Sequence, residues 1–307
     1  MTSVGVTMFF DLKSLPDATD SVRPVEFYVK NGQTTLAQKC PMVILCDKVT
    51  RPWIEEFRGR LAPGEKTVYV ERSLMDYEHY RLNHSIIKSN RVGNSSYAGS
   101  RNTPSYCLTT MLKFQAMKAA HEIFPSASHY FWIDFGCAHI AKEADVYLPK
   151  MLLKPNPKVC CMYIHYRHKT EVAYMETYLA GGNPCALAAT IFSVENSLVN
   201  AFYTRGLSIF YEMLSRGVGH NEEAVLMYLY DRFPDMFTLY YGDYYSTASN
   251  YHFVCRDYGA IKAFFLQNAV RHGRTDLART CASYILESVR GGFLTLPAEE
   301  LAYLSAI

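Results

Sequence analysis

Three short apolar runs before residue 75 constrain this chain more than anything else in it. They are Val4-Gly5-Val6-Thr7-Met8-Phe9-Phe10-Asp11, Pro41-Met42-Val43-Ile44-Leu45-Cys46-Asp47 and Thr67-Val68-Tyr69-Val70-Glu71-Arg72. Between them lie stretches of helical character near 24–38 and from Pro52 to Leu61, the second closed by Pro63-Gly64. Strand, helix, strand, helix, strand at this spacing reads as parallel βαβ units, because parallel neighbours need a crossover long enough to hold a helix. The first two runs end in an acid, Asp11 and Asp47. In open α/β sheets ligands gather beyond the carboxyl ends of the strands. Strand-terminal acids are therefore the first places to look for chemistry.

The same pattern returns in mid-chain. Tyr130-Phe131-Trp132-Ile133 is bounded by Ser128-His129 on one side and by Asp134-Phe135-Gly136 on the other. A run this short, apolar at every position, predicts a strand covered on both faces. Asp134 falls at its carboxyl end, and Gly136 removes a side chain where a ligand has to approach the backbone closely.

Around this strand the chain reads as alternating elements. Helices are expected over 73–90 and from Ser105 to Ile123, where Leu108, Met111, Leu112, Ala119 and Ile123 fall near one face. The polar stretch 93–104 between them reads as a surface loop with the character of a lid. A helix over 142–152 precedes a strand from Val159 to Ile164, and a turn at Gly181-Gly182-Asn183-Pro184 leads to a small-residue strand from Ala186 to Ser193. Helices follow over 194–215 and from Asn221 to Phe233, the second apolar nearly all round and so expected to be deeply buried. Thr238 to Tyr245 gives a last strand and loop, and three helices follow from Tyr258 with breaks near Gly273 and Gly291-Gly292. The expected division is a main domain over 1–256 and a helical extension over 257–307.

Composition narrows the function. A formal net charge of +2 is too close to balance to advertise nucleic acid or an anionic membrane as partner. No run reaches the roughly 18 apolar residues that a membrane span needs. Met1-Thr2-Ser3-Val4-Gly5 has neither the basic nor the apolar region of a secretory signal. The nine cysteines form no C-x-x-C pair and sit mostly in apolar runs, which suits reduced core thiols and a cytoplasmic location. G-x-G-x-x-G, G-x-x-x-x-G-K-[ST] and G-x-S-x-G are all missing. His165 and His168 have metal-like spacing but lack a third ligand in the sequence around them.

One pattern remains. Ser105-Tyr106 with Lys113, Trp132-Ile133-Asp134-Phe135-Gly136 with His139, Gly219 with Asn221-Glu222-Glu223, Tyr240-Tyr241-Gly242-Asp243-Tyr244 and Asn250-Tyr251 occur in that order. This resembles the bacterial HtrL/YibB family of glycosyltransferase-like proteins and, more distantly, nucleotide-sugar transferases of the GT-A fold. The resemblance covers roughly residues 4–255 and is tightest from Ser105 to His139. It implies an α/β chain built as a GT-A-like αβα sandwich, with a mostly parallel mixed central sheet and a helical C-terminal extension. It further implies a glycosyltransferase (hexosyl- or pentosyl-transferring) that moves a sugar from a nucleotide donor, a uridine diphosphate sugar in the first instance, to a carbohydrate or lipid-linked acceptor.

In that fold a D-x-D usually holds Mn2+ or Mg2+ against the diphosphate. Here the motif is D-x-G, with Asp134 as metal or diphosphate ligand and Gly136 in place of the second acid. His252 is the expected second metal ligand; the plainer alternative is a packed histidine between Tyr251 and Phe253. Glu222 or Glu223 is favoured over Asp243 as the base that takes the acceptor proton; acids in a first helical turn also suit the helix dipole. Asp11 and Asp47 are expected at the nucleotide or, equally, as helix caps. Lys113 faces the diphosphate or solvent. Arg91 and Arg101 flank the polar loop as phosphate clamps or, equally, as charges that keep the loop soluble, and Tyr97, Tyr106, Tyr241 and Tyr244 are candidates for stacking on base or sugar. Two rival readings stand beside the transferase: a non-catalytic nucleotide- or carbohydrate-binding module with a degenerate metal motif, and a metal-dependent phosphohydrolase or nucleotidyltransferase.

Overall fold

The structure is a computed structural model that describes residues 2–18, 23–90, 103–168, 173–181 and 186–307. Arg91, Tyr97, Arg101 and the Gly182-Asn183-Pro184 part of the expected turn lie outside the described residues.

Seven strands form one sheet: β1 (Ser3–Phe9), β2 (Met42–Cys46), β3 (Thr67–Glu71), β4 (His129–Ile133), β5 (Val159–Tyr163), β6 (Ile191–Glu195) and β7 (Phe237–Tyr241). Their order is β3-β2-β1-β4-β6-β5-β7. Every ladder is parallel except the two made by β6, which runs against both β4 and β5. The sheet is thus mixed and mostly parallel, as the sequence leads one to expect. All five residues of β2, β4 and β5 are buried, which explains their unbroken apolar runs.

Helix α1 (Val25–Leu36) and helix α2 (Arg51–Leu61) make the first two crossovers, and with α5 (Ala144–Leu153) they cover one face. Helix α4 (Pro104–Ile123) lies across β1, β2 and β4 on the other face. It packs there between α3 (Glu78–Asn90) and α7 (Val199–Ser215), with α8 (Glu222–Arg232) beside α7; the short α6 (Met175–Gly181) precedes β6. This is an αβα sandwich.

Two element expectations need correction. The helix read over 73–90 is broken: Ser73 caps a 3-10 turn at Leu74–Asp76, its hydroxyl and the Asp76 carboxylate each taking the other's backbone N–H, and α3 starts only at Glu78. The strand read from Ala186 to Ser193 is Ile191–Glu195, because its ladder partner β4 ends at Ile133, opposite Ile191. The residues before it run past that end.

The C-terminal helices begin with Tyr258–Ile261, a π turn at Lys262–Leu266 and Gln267–Arg271, followed by Thr275–Arg290 and Ala298–Ala306. They are anchored to the sheet: the Tyr284 hydroxyl donates to the Tyr241 carbonyl at 3.0 Å, and the Cys255 N–H to Ser288 Oγ at 2.7 Å. All eight described cysteines are buried free thiols; Cys185 lies outside the described residues. No described helix is long and apolar enough to cross a membrane.

Candidate active site

Strand order locates the site. The chain leaves β1 toward β2 on one side and reaches β4 on the other, so the connections diverge between β1 and β4 and open a crevice beyond their carboxyl ends. A cavity of about 220 Å³ lies there. Phe9 to Lys13 at the end of β1, Asp134 to Cys137 at the end of β4, and Tyr106, Thr109, Thr110 and Lys113 from α4 form much of its wall. Glu222 closes it from the first turn of α8.

A charged trio lies at its heart. Lys113 Nζ is 2.8 Å from Asp134 Oδ1 and 2.7 Å from Glu222 Oε1, and donates to the Ala189 carbonyl at 3.0 Å. An ammonium has three hydrogens, and three oxygens take them. The Lys113 side chain is 4 % exposed and that of Glu222 6 %, while that of Asp134 is 35 % exposed. Burial works against the lysine's charge, but the two carboxylates outweigh it and hold its pKa above the ordinary lysine value. Burial pushes the Asp134 carboxyl up, with Glu222 adding to the rise and Lys113 opposing it. The Trp132 indole N–H donates to Asp134 Oδ1 at 2.7 Å, and the Lys113 ammonium lies 5.1 Å from the centre of its ring.

Some polar atoms are left for a ligand. Glu222 Oε2 and Thr109 Oγ1 are buried without a hydrogen-bond partner, and both residues line the cavity. Buried polar atoms without partners are rare in native folds and mark places of function. Lys13 and Arg23 bring positive charge to the cavity, and Phe9 stacks on Phe135 within its wall at 4.4 Å between centroids. Burial raises the Cys137 thiol to about 12, so this cavity-lining cysteine is a neutral packing group rather than a nucleophile.

The structure brings together Asp11, Lys113, Asp134, Gly136, Glu222 and Tyr106. The remaining expected residues fall elsewhere. Asp47 accepts hydrogen bonds from the backbone N–H groups of Asp11, Val49 and Thr50, so its carboxylate pins the start of α2 to the end of β1. Asp243 caps a 3-10 turn through Ser246. Glu223 accepts from the Tyr244 hydroxyl at 2.6 Å, outside the cavity wall. Tyr241 is buried against Phe265 and Tyr284. His252 stands beside Tyr251, and burial, with the charge of Lys154 adding to it, lowers its pKa against a hydrogen bond to the Lys150 backbone. It does not line the cavity, so the pair expected to hold a metal, Asp134 and His252, is not assembled. Among the described residues no group of three or more His, Cys, Asp or Glu could hold a metal ion. His165 packs on Phe264 and His168 on His272, well placed for stacking rather than for sharing a ligand.

Reading the sequence for apolar periodicity missed Arg23, Tyr28, Thr109, Thr110 and Thr190. For two of these, Thr109 and Thr110, a signal was present. Tyr106, Thr109, Thr110 and Lys113 recur at the i, i+3, i+4, i+7 spacing of one helical face, a polar stripe on a helix that is otherwise apolar.

No curated protein sequence matches the chain. Among solved structures it is similar to mouse xyloside xylosyltransferase 1 in its apo form (10 % identity, TM-score 0.45, covering 78 % of this chain and 84 % of that one). It is also similar to core-mannan synthase A from Aspergillus fumigatus in its Mn/GDP form (9 %, 0.46, 78 % and 72 %). A third is a glycosyltransferase involved in glycosylation of the major capsid of PBCV-1 (12 %, 0.38, 79 % and 82 %). The profile of the family described as "Bacterial protein of unknown function (HtrL_YibB)" matches residues 2–255. That span takes in all seven strands and every wall of the cavity, and the chain belongs to the HtrL_YibB family.

Proposed function

We propose that this protein is a glycosyltransferase whose donor is a nucleoside diphosphate sugar, with a uridine nucleotide as the first candidate, and whose acceptor is a carbohydrate or a lipid-linked glycan. The observation that carries the reading is the Asp134–Lys113–Glu222 trio, its lysine and glutamate buried and its aspartate partly exposed, at the divergence of β1 and β4. Carboxylates that face a crevice of this kind can accept hydrogen bonds from sugar hydroxyls and take a proton from an attacking one. Lys13 and Arg23, from the segments at the end of β1 and before α1, supply the positive charge a diphosphate requires.

In this reading Glu222 is the base. Its Oε1 is held by Lys113, which leaves Oε2 to receive the acceptor's proton as the new glycosidic bond forms and the sugar's bond to the diphosphate breaks, the nucleoside diphosphate leaving with the bonding pair toward Lys13 and Arg23. Asp134, fixed through Oδ1 by Trp132 and Lys113, presents its other oxygen to the donor sugar. Thr109 offers a hydroxyl to the same space. Residues 257–307 act as a buttress for the far edge of the sheet rather than as part of the site.

A divalent ion fits this residue set poorly. The third position of the D-x-G is Gly136, and a Cβ there would already lie 3.1 Å from the Tyr28 ring and 3.5 Å from His139 Nδ1. No step is therefore assigned to a metal. The same crowding favours one rival, a nucleotide-binding module that binds without turnover.

Thermal-shift titration with uridine, guanosine and cytidine diphosphates separates these readings. One nucleotide is expected to stabilise the fold, by about 2.7 kcal/mol at a hundredfold excess over its Kd. The corresponding sugar nucleotide is then expected to be hydrolysed slowly, and Glu222→Gln to reduce turnover by about 10²-fold or more. Nucleotide binding with no turnover across donors would leave the module, and no nucleotide binding at all would remove the transferase.

A further inference from the structure

We infer that the donor site works without a divalent cation: the buried ammonium of Lys113 occupies the place between the two acids that a metal would need, and Lys13 and Arg23 meet the diphosphate directly. This rests on the reading of the cavity as a nucleoside diphosphate site, and it differs from what a D-x-D enzyme would require.

Among the described residues three carboxylates line the cavity: Asp11, Asp134 and Glu222. Asp11 Oδ1 accepts the Lys13 backbone N–H at 3.1 Å, capping the 3-10 turn that follows β1. The nearer oxygens of Asp134 and Glu222 both lie on Lys113, at 2.8 and 2.7 Å. A divalent ion bound to either carboxylate would sit close to a fixed positive charge in a water-poor setting, where repulsion is poorly screened. Mg2+ can manage with one or two carboxylates plus phosphate oxygens, but it keeps several waters and needs room for them. Here the Tyr28 ring and His139 occupy the space around Gly136, where a second acid would project.

The lysine cannot easily step aside. Its side chain is 4 % exposed, and each of its three hydrogens already has an oxygen: Asp134, Glu222 and the Ala189 carbonyl. Its stem descends from the middle of α4, a helix of 20 residues packed between the sheet and α7. A rigid cation has one property a metal lacks, which is that chelators cannot remove it. Two carboxyl groups around one ammonium suit sugar hydroxyls better than phosphate. Phosphate is left to Arg23, whose guanidinium lies over the Phe27 ring at 4.5 Å, and to Lys13.

The first test uses the unaltered protein. Titration with Mn2+ followed by electron paramagnetic resonance is expected to show no stoichiometric site; one that appears, and vanishes in Asp134→Asn, overturns the inference. Calorimetric binding of uridine diphosphate is expected to agree within about threefold in EDTA and in Mn2+, and a loss of about tenfold or more in EDTA overturns it. If no nucleoside diphosphate binds in either buffer, the functional reading fails, while the Mn2+ titration still decides the question of the ion. Removing the ammonium provides the converse. Lys113→Ala is expected to gain Mn2+ affinity by about tenfold or more, and to lose the gain when combined with Asp134→Asn. A folded Lys113→Ala with no such gain also overturns the inference, and should it not fold, the titration of the unaltered protein decides alone.

Discussion

Replacing Lys113 by Met removes the charge and keeps most of the volume, and it leaves Asp134 and Glu222 with no counter-ion in a buried setting. Breaking a buried pair in this way costs about 3–5 kcal/mol at neutral pH. The pH dependence has a definite sign. Burial already raises the Asp134 carboxyl and the ammonium opposes that rise, so without Lys113 the penalty is absent where Asp134 is protonated and grows as pH rises through the carboxylate range. The melting temperature of Lys113→Met should therefore fall furthest below that of the unaltered protein at pH 7, and the gap should narrow toward pH 5. A gap that stays constant would show that the lysine acts through packing alone. The sequence left Lys113 between the diphosphate and solvent. What settles the matter is the position of the Ala189 carbonyl and of Glu222, residues far away along the chain, and no local pattern encodes that.

Elements carry the site by close packing as much as by their ends. Helix α7 crosses α4 at Gly206, where a Cβ would come within 2.5 Å of the Phe114 ring, the residue next to Lys113. Phe114 in turn stacks on Phe202 at 4.8 Å. Gly206→Ala is expected to cost about 1–3 kcal/mol, as overpacking does, and to disturb the trio through α4. Chemical denaturation would measure the first effect and nucleotide titration the second; an unchanged midpoint would mean that Phe114 has room to turn. The elements themselves were largely legible in the sequence: six of the seven strands were expected close to where they lie, because short apolar runs bounded by polar or small residues leave few alternatives, whereas β6 begins five residues later than its apolar run. The direction of β6 was not legible. A strand reads the same whichever way it runs in the sheet, and the stretch between β5 and β6 is no shorter than the one that joins the parallel pair β2 and β3. The polar stripe of α4 was legible in principle, yet a search for apolar faces passes over it.

At the scale of the molecule, buried histidines make the fold sensitive to acid. Burial lowers the pKa of His79 to about 4, and it lowers those of His129, His165 and His252. A group whose folded pKa lies below its unfolded value is protonated first in the unfolded chain, so stability is intact above about pH 6.5 and drains away as pH falls toward the folded value. For His79, which is 3 % exposed, the loss between pH 6.5 and 4 is on the order of 3 kcal/mol. His79→Gln should flatten the slope of melting temperature against pH in that window, and an unaltered slope would reassign the acid sensitivity to the other three. The reversal of β6 has a consequence of a different kind. Because that strand starts at the edge where its neighbours finish, the approach to it delivers bare peptide oxygens, the Ala189 one to Lys113 and the Thr190 one to the Asp134 amide. Main-chain atoms are supplied by every amino acid, so the grip on the lysine and on the tip of β4 does not depend on the side-chain chemistry at positions 189 and 190, which are held small by the buried space around them.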